Sequence, residues 1–217
     1  MIILNFKNYK EALGRKALKI CKIVEKIYKK SKVEIFVAPQ YTDIPQISKT
    51  FSFPVIAQHV DDVEEGKFTG SISILSLKEY KVYGSLLNHS EKKLTIEKIE
   101  KTIELAKKHN FKIFALSSSL NEARKIMKFY PYSLAYEPPE LIGSGRAVSK
   151  EKPEILEKFI KLLKGTTIIK LAGAGISGEE DVKKALELGC DGVLISSAFI
   201  FSKNREKFLK KVVSVFY

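Results

Sequence analysis

Short apolar segments recur along the chain and alternate with longer segments of helical periodicity. Most of the short segments are continuous runs of Ile, Val, Leu, Phe and Ala rather than strict alternations of apolar and polar residues. Continuous runs of this length are typical of parallel strands that are buried on both faces. Strands are predicted over residues 2–6, 33–38, 54–58, 82–87, 111–116, 133–136, 167–172 and 192–195.

Between these strands, apolar residues return every three or four positions, which predicts amphipathic helices. In the first such segment Ile20, Val24 and Ile27 fall on one stripe, and lysines occupy the opposite side. Long helices are predicted over residues 13–30, 95–109, 152–164, 179–188 and 204–215, and shorter ones over 44–49, 72–79 and 121–129.

Strand and helix follow one another without a break in composition, so we expect one domain over residues 1–217. Repeated βα units fit either a doubly wound open sheet or a closed barrel. The count of eight units favours an α/β fold of the second kind, a closed eight-stranded parallel (β/α)8 barrel. With 217 residues the chain is shorter than a typical barrel of ~250 residues, so its helices and loops must be trimmed.

The chain is strongly basic, with 38 Lys and Arg against 25 Asp and Glu and a formal net charge of +13. A charge of this size raises nucleic acid, a membrane surface or an anionic small molecule as partners. Nearly all the basic residues are lysines, which lack the bidentate fork with which Arg recognises bases. Lys and Glu residues also lie opposite the apolar stripes of the predicted helices, so we expect much of the charge to be spread over an outer ring of solvated helix faces. We expect no nucleic acid and no membrane as partner. A non-catalytic basic protein that binds RNA or DNA remains the alternative from a different class.

We expect a cytoplasmic protein, because the sequence shows no pattern of a signal peptide and its cysteine usage fits reduced thiols. The apolar run after Met1 is broken by Asn5 and Lys7, well short of the apolar core of a signal peptide, and no stretch of about 18 uncharged apolar residues follows. Cys21 and Cys190 are far apart in sequence and have no metal-ligand spacing, so we expect reduced thiols and no metal site.

In a parallel barrel the chemistry lies where the strands end, and polar residues follow several of the predicted strands. Asn5 and Lys7, two positions apart on the first strand, should face the same side. His89 follows the fourth strand directly, and Glu137 is the first charge after the sixth, held extended by Pro138. The next residues, 142–145, read Ile-Gly-Ser-Gly and suit a mobile lid.

The seventh strand is followed by Gly-Ala-Gly-Ile-Ser-Gly at residues 173–178, which formally matches the GxGxxG pattern of dinucleotide sites. That site needs an acid at the end of the next strand, whereas Asp191 begins it, so we expect no NAD. Backbone amides at Gly175, with Ser196 and Ser197 after the eighth strand, predict instead a cradle for phosphate. Ser177 and Glu180 could form a capping box on the helix that follows.

A base, an imidazole, a cation and a phosphate cradle suit proton abstraction beside the carbonyl of a small sugar phosphate. At this point the sequence resembles the triosephosphate isomerase family, whose fold is the TIM barrel. Four segments are similar to motifs of that family and occur in its order: residues 5–7 (Asn-Phe-Lys), 88–91 (Asn-His-Ser-Glu), 136–138 (Tyr-Glu-Pro) and 142–145 (Ile-Gly-Ser-Gly). The short length and the Asn before His89 resemble its compact archaeal branch.

The resemblance implies a cofactor-independent isomerase that interconverts dihydroxyacetone phosphate and D-glyceraldehyde 3-phosphate in glycolysis and gluconeogenesis. Under it, Glu137 is the base, neutral His89 polarises the carbonyl, and Lys7 stabilises the enediolate, with Asn5 and Glu91 in the same network. The residues implied to bind substrate or phosphate are Asn5, Phe6, Lys7, Ile142, Gly143, Gly175, Ser196 and Ser197.

The resemblance also implies a homodimer or homotetramer. Gly66, Lys67, Phe68, Thr69 and Gly70 resemble the protruding third loop, which inserts into a neighbouring subunit. Two departures concern the phosphate cradle, where many relatives have Gly-Gly in place of Ser196-Ser197 and Ser in place of Gly175.

Another phosphate-binding barrel, from the histidine or tryptophan pathway, is the alternative enzyme. The glycines at 173 and 175 would suit it equally. The isomerase and cyclase barrels of the histidine pathway need an Asp at the end of the first strand, where this chain has Lys7.

Overall fold

The computed structural model describes residues 1–141 and 146–217. It contains eight strands, all paired in parallel, at each of the eight places that the sequence predicts. Several are shorter than predicted, because the ends of the apolar runs enter loops while staying buried. The strands are β1 Ile2–Asn5, β2 Ile35–Ala38, β3 Ile56–Ala57, β4 Gly84–Leu87, β5 Lys112–Ser117, β6 Ser133–Tyr136, β7 Ile169–Ala172 and β8 Gly192–Ile195.

The sheet runs in the order β2-β1-β8-β7-β6-β5-β4-β3 and curls until its two edge strands meet. They meet through an isolated parallel bridge between Val37 and Val55, where the Val37 amide donates to the Pro54 carbonyl at 3.1 Å. The predicted (β/α)8 TIM barrel is therefore confirmed, with a thin seam between β2 and β3.

Helices follow the strands and surround the barrel. Two four-residue helices, α6 and α9, were not predicted, because one turn is too short to show a period. The helices are α1 Arg15–Tyr28, α2 Ile44–Thr50, α3 Ile74–Glu79, α4 Ile96–Lys108, α5 Leu120–Ile126, α6 Val148–Glu151, α7 Pro153–Leu162, α8 Glu179–Glu187, α9 Ser197–Ile200 and α10 Arg205–Ser214.

The core has two layers, which follow from the period of two along each strand. Ile3, Phe36 and Phe114 belong to the cluster inside the barrel, whereas Ile2 and Leu4 belong to the larger cluster between strands and helices. Asn5 shares the parity of Ile3, so β1 carries its first polar side chain inward at the end of the strand, where the loops begin.

The net charge is not spread evenly around the ring of helices, contrary to the expectation from the sequence. Residues 15–32, which include α1, carry eight basic residues and one acid. Residues 203–217, which include α10, carry five basic residues and one acid. The two segments together therefore hold +11 of the net charge of +13. They are adjacent because barrel closure brings the last helix against the first, as the 2.8 Å ion pair between Lys26 and Glu206 shows. Among the described residues no helix is long and apolar enough to cross a membrane.

Candidate active site

Lys7 lies just beyond β1, in a backbone conformation that its neighbours hold in place. Its φ of +47° is in the left-handed region, which non-glycine residues seldom adopt. The Asn5 side chain accepts a hydrogen bond from the Lys7 amide at 2.9 Å, and Gln58 donates its side-chain amide to the Lys7 carbonyl at 2.9 Å. This clamp keeps the Lys7 side chain largely buried, with its Nζ 2.6 Å from Glu91 Oε1.

His89 follows β4 and is held by the loop that comes after it. The backbone amide of Glu91 donates to His89 Nδ1 at 3.1 Å, so in the neutral ring Nδ1 is the acceptor and Nε2 carries the proton. Burial, aided by the positive charge of Lys7, lowers the pKa of His89 to about 4. Nε2 is buried and has no hydrogen-bond partner among the residues described. The imidazole is therefore a neutral N–H donor that is available to a ligand.

Glu137 lies directly beyond β6 and is 3% exposed. Its amide donates to the Ser117 carbonyl at 2.8 Å, which fixes the exit of the strand. Burial raises the pKa of the carboxyl to about 7, against the opposing effect of a long, 3.5 Å hydrogen bond from the Ser90 amide. A carboxyl with a pKa near neutrality can both take and return a proton at physiological pH.

These three side chains, remote in sequence, converge at one end of the barrel. His89 Nε2 lies 3.5 Å from Glu137 Oε1, and the charge of Lys7 acts on both groups. Lys7 and Glu137 line the same cleft, whose volume is about 410 Å³. The cleft is thus lined by a cation and a base, and an N–H donor lies within 3.5 Å of the base.

A buried brace behind the cleft holds the His89 loop. Asn88 has φ +62° and is 1% exposed. Its side-chain amide donates to the Leu116 carbonyl at 2.9 Å and to Glu122 at 3.0 Å, and its oxygen accepts the Leu94 amide at 3.0 Å. Burial by itself would raise the pKa of Glu122, but hydrogen bonds from Lys93 and others outweigh it and the pKa is lowered. The brace ties the His89 loop to β5 and α5.

Sequence reasoning gave no role to Gln58, Asn88 or Glu122. Asn88 offered the one usable signal, since Asn accepts the left-handed conformation more readily than most residues. Both partners of Gln58 are 20 to 51 residues away in the chain, so local pattern carries no trace of its role. Glu122 contacts Ser118 and Ser119 locally, but its bonds to Asn88 and Lys93, 34 and 29 residues away, could not be read from local pattern.

The opposite wall of the cleft is backbone-rich. Gly173, Gly175, Ser196 and Ser197 all line it. Gly175 has φ +72°, and a Cβ there would lie 1.8 Å from the Arg146 carbonyl oxygen, so no side chain fits. The Ser196 Oγ is buried and without a hydrogen-bond partner in the described residues. This wall offers amides and one unsatisfied hydroxyl to a ligand.

The capping box predicted from Ser177 and Glu180 is wrong. Helix α8 begins after Gly178, and the Ser177 amide and Oγ both donate to Asp181, at 2.8 and 2.6 Å. Asp181 also pairs with Lys150 of α6 at 2.6 Å. It therefore ties the 173–178 loop to the chain that follows residues 142–145.

The remaining predicted site residues fall in different places. The Phe6 side chain is fully buried in the layer between strands and helices, so only its backbone is left to contact a ligand. Glu91 is exposed and meets the cleft through Lys7. Ile142 and Gly143 lie outside the described residues. In residues 1–141 and 146–217 no group of His, Cys, Asp and Glu is arranged to hold a metal ion.

Comparison with known proteins gives a consistent answer over almost the whole chain. The family model described as triosephosphate isomerase matches residues 1–213. The chain is 40% identical to the triosephosphate isomerase of Methanothermus fervidus, over 99% of this chain and 97% of that protein. It is 38% identical to that of Methanocaldococcus jannaschii, over 98% of each, and 37% identical to that of Sulfurisphaera tokodaii, over 98% of this chain and 93% of that protein. The fold, the cleft and these matches together establish that the chain belongs to the triosephosphate isomerase family.

Proposed function

We propose that this protein interconverts dihydroxyacetone phosphate and D-glyceraldehyde 3-phosphate through an enediolate, as an enzyme of glycolysis and gluconeogenesis. The observation that carries the proposal is that Lys7 and Glu137 line one cleft and that His89 Nε2 lies 3.5 Å from Glu137 Oε1. Membership of the family supports the reaction, and the geometry supports the roles below.

Glu137 is the base. Its carboxylate removes a proton from the carbon next to the carbonyl and, once protonated, returns it to the neighbouring carbon. One carbon is oxidised from alcohol to carbonyl as the other is reduced, so the reaction needs no external oxidant or reductant. Near-complete burial supports this role, because it keeps water from the base and raises the pKa to about 7. A glutamate base beside a neutral histidine is the standard description of catalysis in this enzyme family.

His89 polarises the substrate carbonyl. Because Nδ1 accepts the Glu91 amide, Nε2 carries the proton, and this N–H, 3.5 Å from the Glu137 carboxylate, donates to the carbonyl oxygen of the bound substrate. A neutral imidazole can also give this proton up and regain it as the two substrate oxygens exchange roles. Lys7 supplies the positive charge that stabilises the enediolate oxygen, and Asn5 fixes its backbone. Glu91 holds the ammonium group before substrate enters.

The phosphate is held on the wall formed by Gly175, Ser196 and Ser197. The buried Ser196 Oγ, which has no partner among the described residues, supports a grip that includes this hydroxyl as well as amides. Ile142 and Gly143 are assigned to the lid that closes over the phosphate, on the resemblance alone.

The protein acts as a homodimer or homotetramer, with Gly66, Lys67, Phe68, Thr69 and Gly70 at the subunit interface. Exposure of Phe68, at 48%, supports this, because a large apolar side chain on a protruding loop is typical of a contact surface. The loop is closed at its neck by the Asp61 amide, which donates to the Ile72 carbonyl at 2.9 Å. Residues 1–217 act as one domain, located in the cytoplasm with the other glycolytic enzymes.

The direct test is an isomerase assay on purified protein in both directions, with a chelator present. Turnover should be high, and Glu137→Asp should lower kcat by about a hundredfold, because the shorter side chain withdraws the base by about 1 Å. Glu154→Asp, an exposed glutamate on α7, is the matched control and should leave kcat unchanged. Circular dichroism of both variants checks folding. No turnover in the parent protein, or near-parent turnover in Glu137→Asp, would refute the proposal.

A further inference from the structure

The positive charge concentrated on α1 and α10 defines a surface that the isomerase reaction does not use. This basic face comprises residues 15–32 and 203–217, with +11 of the net +13, while the other 184 residues together carry only +2. We propose that the basic face binds the phosphodiester backbone of a nucleic-acid duplex, independently of its sequence.

The lysines of the basic face are exposed and mostly unpaired. Every exposed side chain of α1 is a lysine or arginine. A minority of the lysines of the basic face form ion pairs: Lys26 and Lys210 with Glu206, Lys29 with Glu25, and Lys211 with Glu179. The lysines without an ion pair among the described residues are Lys16, Lys19, Lys22, Lys30, Lys32, Lys203 and Lys207.

The arrangement is linear, as a polyanion requires. Where α1 packs on α10, two grooves of about 290 and 200 Å³ follow each other along the pair of helices. Lys16, Lys19 and Arg205 line the first, which also contains Glu11. Lys26, Lys30 and Lys210 line the second. Fourteen residues of α1 extend about 21 Å, which matches roughly six base pairs of a duplex.

Three other occupants fit less well. A second copy placed by a twofold axis would set this charge against itself, which is strongly unfavourable. A membrane surface would call for exposed apolar side chains, yet of the large exposed ones in the described residues only Phe201 and Tyr217 lie nearby, at the two ends of α10. A single strand binds through aromatic side chains interleaved with basic ones, and α1 exposes none.

Lysine rather than arginine sets the kind of recognition. A lysine ammonium is a point charge that suits phosphate oxygens and has no fork for the edges of bases. Binding should therefore depend on salt and not on sequence. The sequence-based expectation of no nucleic-acid partner rested on the scarcity of Arg and on an even spread of charge. The structure does not have that spread, and the scarcity of Arg argues against recognition of bases rather than of phosphates.

The experiment compares two variants of equal net charge. The first replaces five unpaired lysines of the basic face by Gln, at Lys16, Lys19, Lys22, Lys30 and Lys207. The control replaces five exposed lysines of α4, α5 and α7 by Gln, at Lys101, Lys108, Lys125, Lys158 and Lys161. None lies in the cleft, so isomerase activity reports folding in both.

Binding of a labelled 20-base-pair DNA duplex is followed by fluorescence anisotropy between about 50 and 200 mM salt, alongside an RNA duplex and vesicles of anionic lipid. We expect the parent protein to bind both duplexes, with an affinity that decreases as salt increases. In the basic-face variant the negative slope of log K against log salt should become shallower by roughly 4 to 5. At low salt that variant should lose at least thirtyfold in affinity and the control less than threefold. Equal losses in both variants, no binding of duplex by the parent, or tighter binding of vesicles than of duplex would overturn the proposal.

Discussion

Asn88 offers the sharpest test of how the fold positions His89, because its side chain and its backbone can be perturbed separately. Asn88→Gly removes the side chain and tolerates φ +62°, whereas Asn88→Ala removes the same hydrogen bonds and adds strain. Both variants cut the link from the His89 loop to Leu116 and Glu122.

The size of the effect follows from the three hydrogen bonds that both variants lose. Two involve neutral partners, worth about 0.5–1.5 kcal/mol each, and the one to Glu122 involves a carboxylate, worth about 1.5–3 kcal/mol. Water can enter the space left by the Asn88 side chain and replace some of the lost hydrogen bonds. We therefore expect both variants to lose about 3 kcal/mol of unfolding free energy. Left-handed strain costs Ala a further ~1–2 kcal/mol, while the freer unfolded chain costs Gly ~0.4–1 kcal/mol. Asn88→Ala should therefore be the less stable by about 0.5–1 kcal/mol.

Activity should fall because the loop carries His89, whose Nε2 must reach the substrate carbonyl. A displacement of about 1 Å can cost up to 10²-fold in rate, so we expect kcat to drop at least tenfold in both variants. KM should change little, since the phosphate wall at Gly175 and Ser196 is elsewhere. Denaturant unfolding and steady-state kinetics make both measurements. Equal or greater stability of the Ala variant, or kcat within twofold of the parent in both, would refute the reasoning.

Three further predictions concern the cleft. The rate constant kcat/KM should rise with pH through about 7 as Glu137 loses its proton, while His89 stays neutral over that range; a profile that is flat between pH 5.5 and 8 would contradict the raised pKa. Lys7→Ala should abolish measurable turnover and weaken inhibition by inorganic phosphate at least tenfold, whereas unchanged kinetics would remove Lys7 from the mechanism. Gly175→Ala should raise KM at least tenfold, because its Cβ would lie 1.8 Å from the Arg146 carbonyl oxygen and the loop must shift; an unaltered KM would show that this wall does not grip the substrate.

Much of the fold could be predicted because the barrel repeats one local pattern. Most strands are continuous apolar runs that are buried on both faces, and each of the longer helices has an apolar stripe with solvated lysines opposite. The four-residue helix Ser197–Ile200 carries no such period, so no element was predicted there. Shortening of β3 to Ile56–Ala57 likewise depends on how two distant strands meet at the seam.

The residues of the site likewise divide into those that local sequence pattern reveals and those that depend on contacts between distant segments. Glu137 and His89 were predictable because a charge or an imidazole directly after a buried run must face the barrel mouth. Gln58 and Glu122 were not, since each acts on residues from other strands. The basic face was hidden for the same reason, because its two helices lie at opposite ends of the sequence and become neighbours only when the barrel closes.

The seam between β2 and β3 is the place where the barrel should open locally most easily. Every other pair of adjacent strands shares a ladder, whereas this pair shares one bridge at Val37 and Val55. Local opening should begin there, and hydrogen exchange at the Val37 amide should be faster than at equally buried amides such as those of β5. Since Gln58 spans the same gap to reach the carbonyls of Ala38 and Lys7, such opening would also release the lysine that faces the cleft.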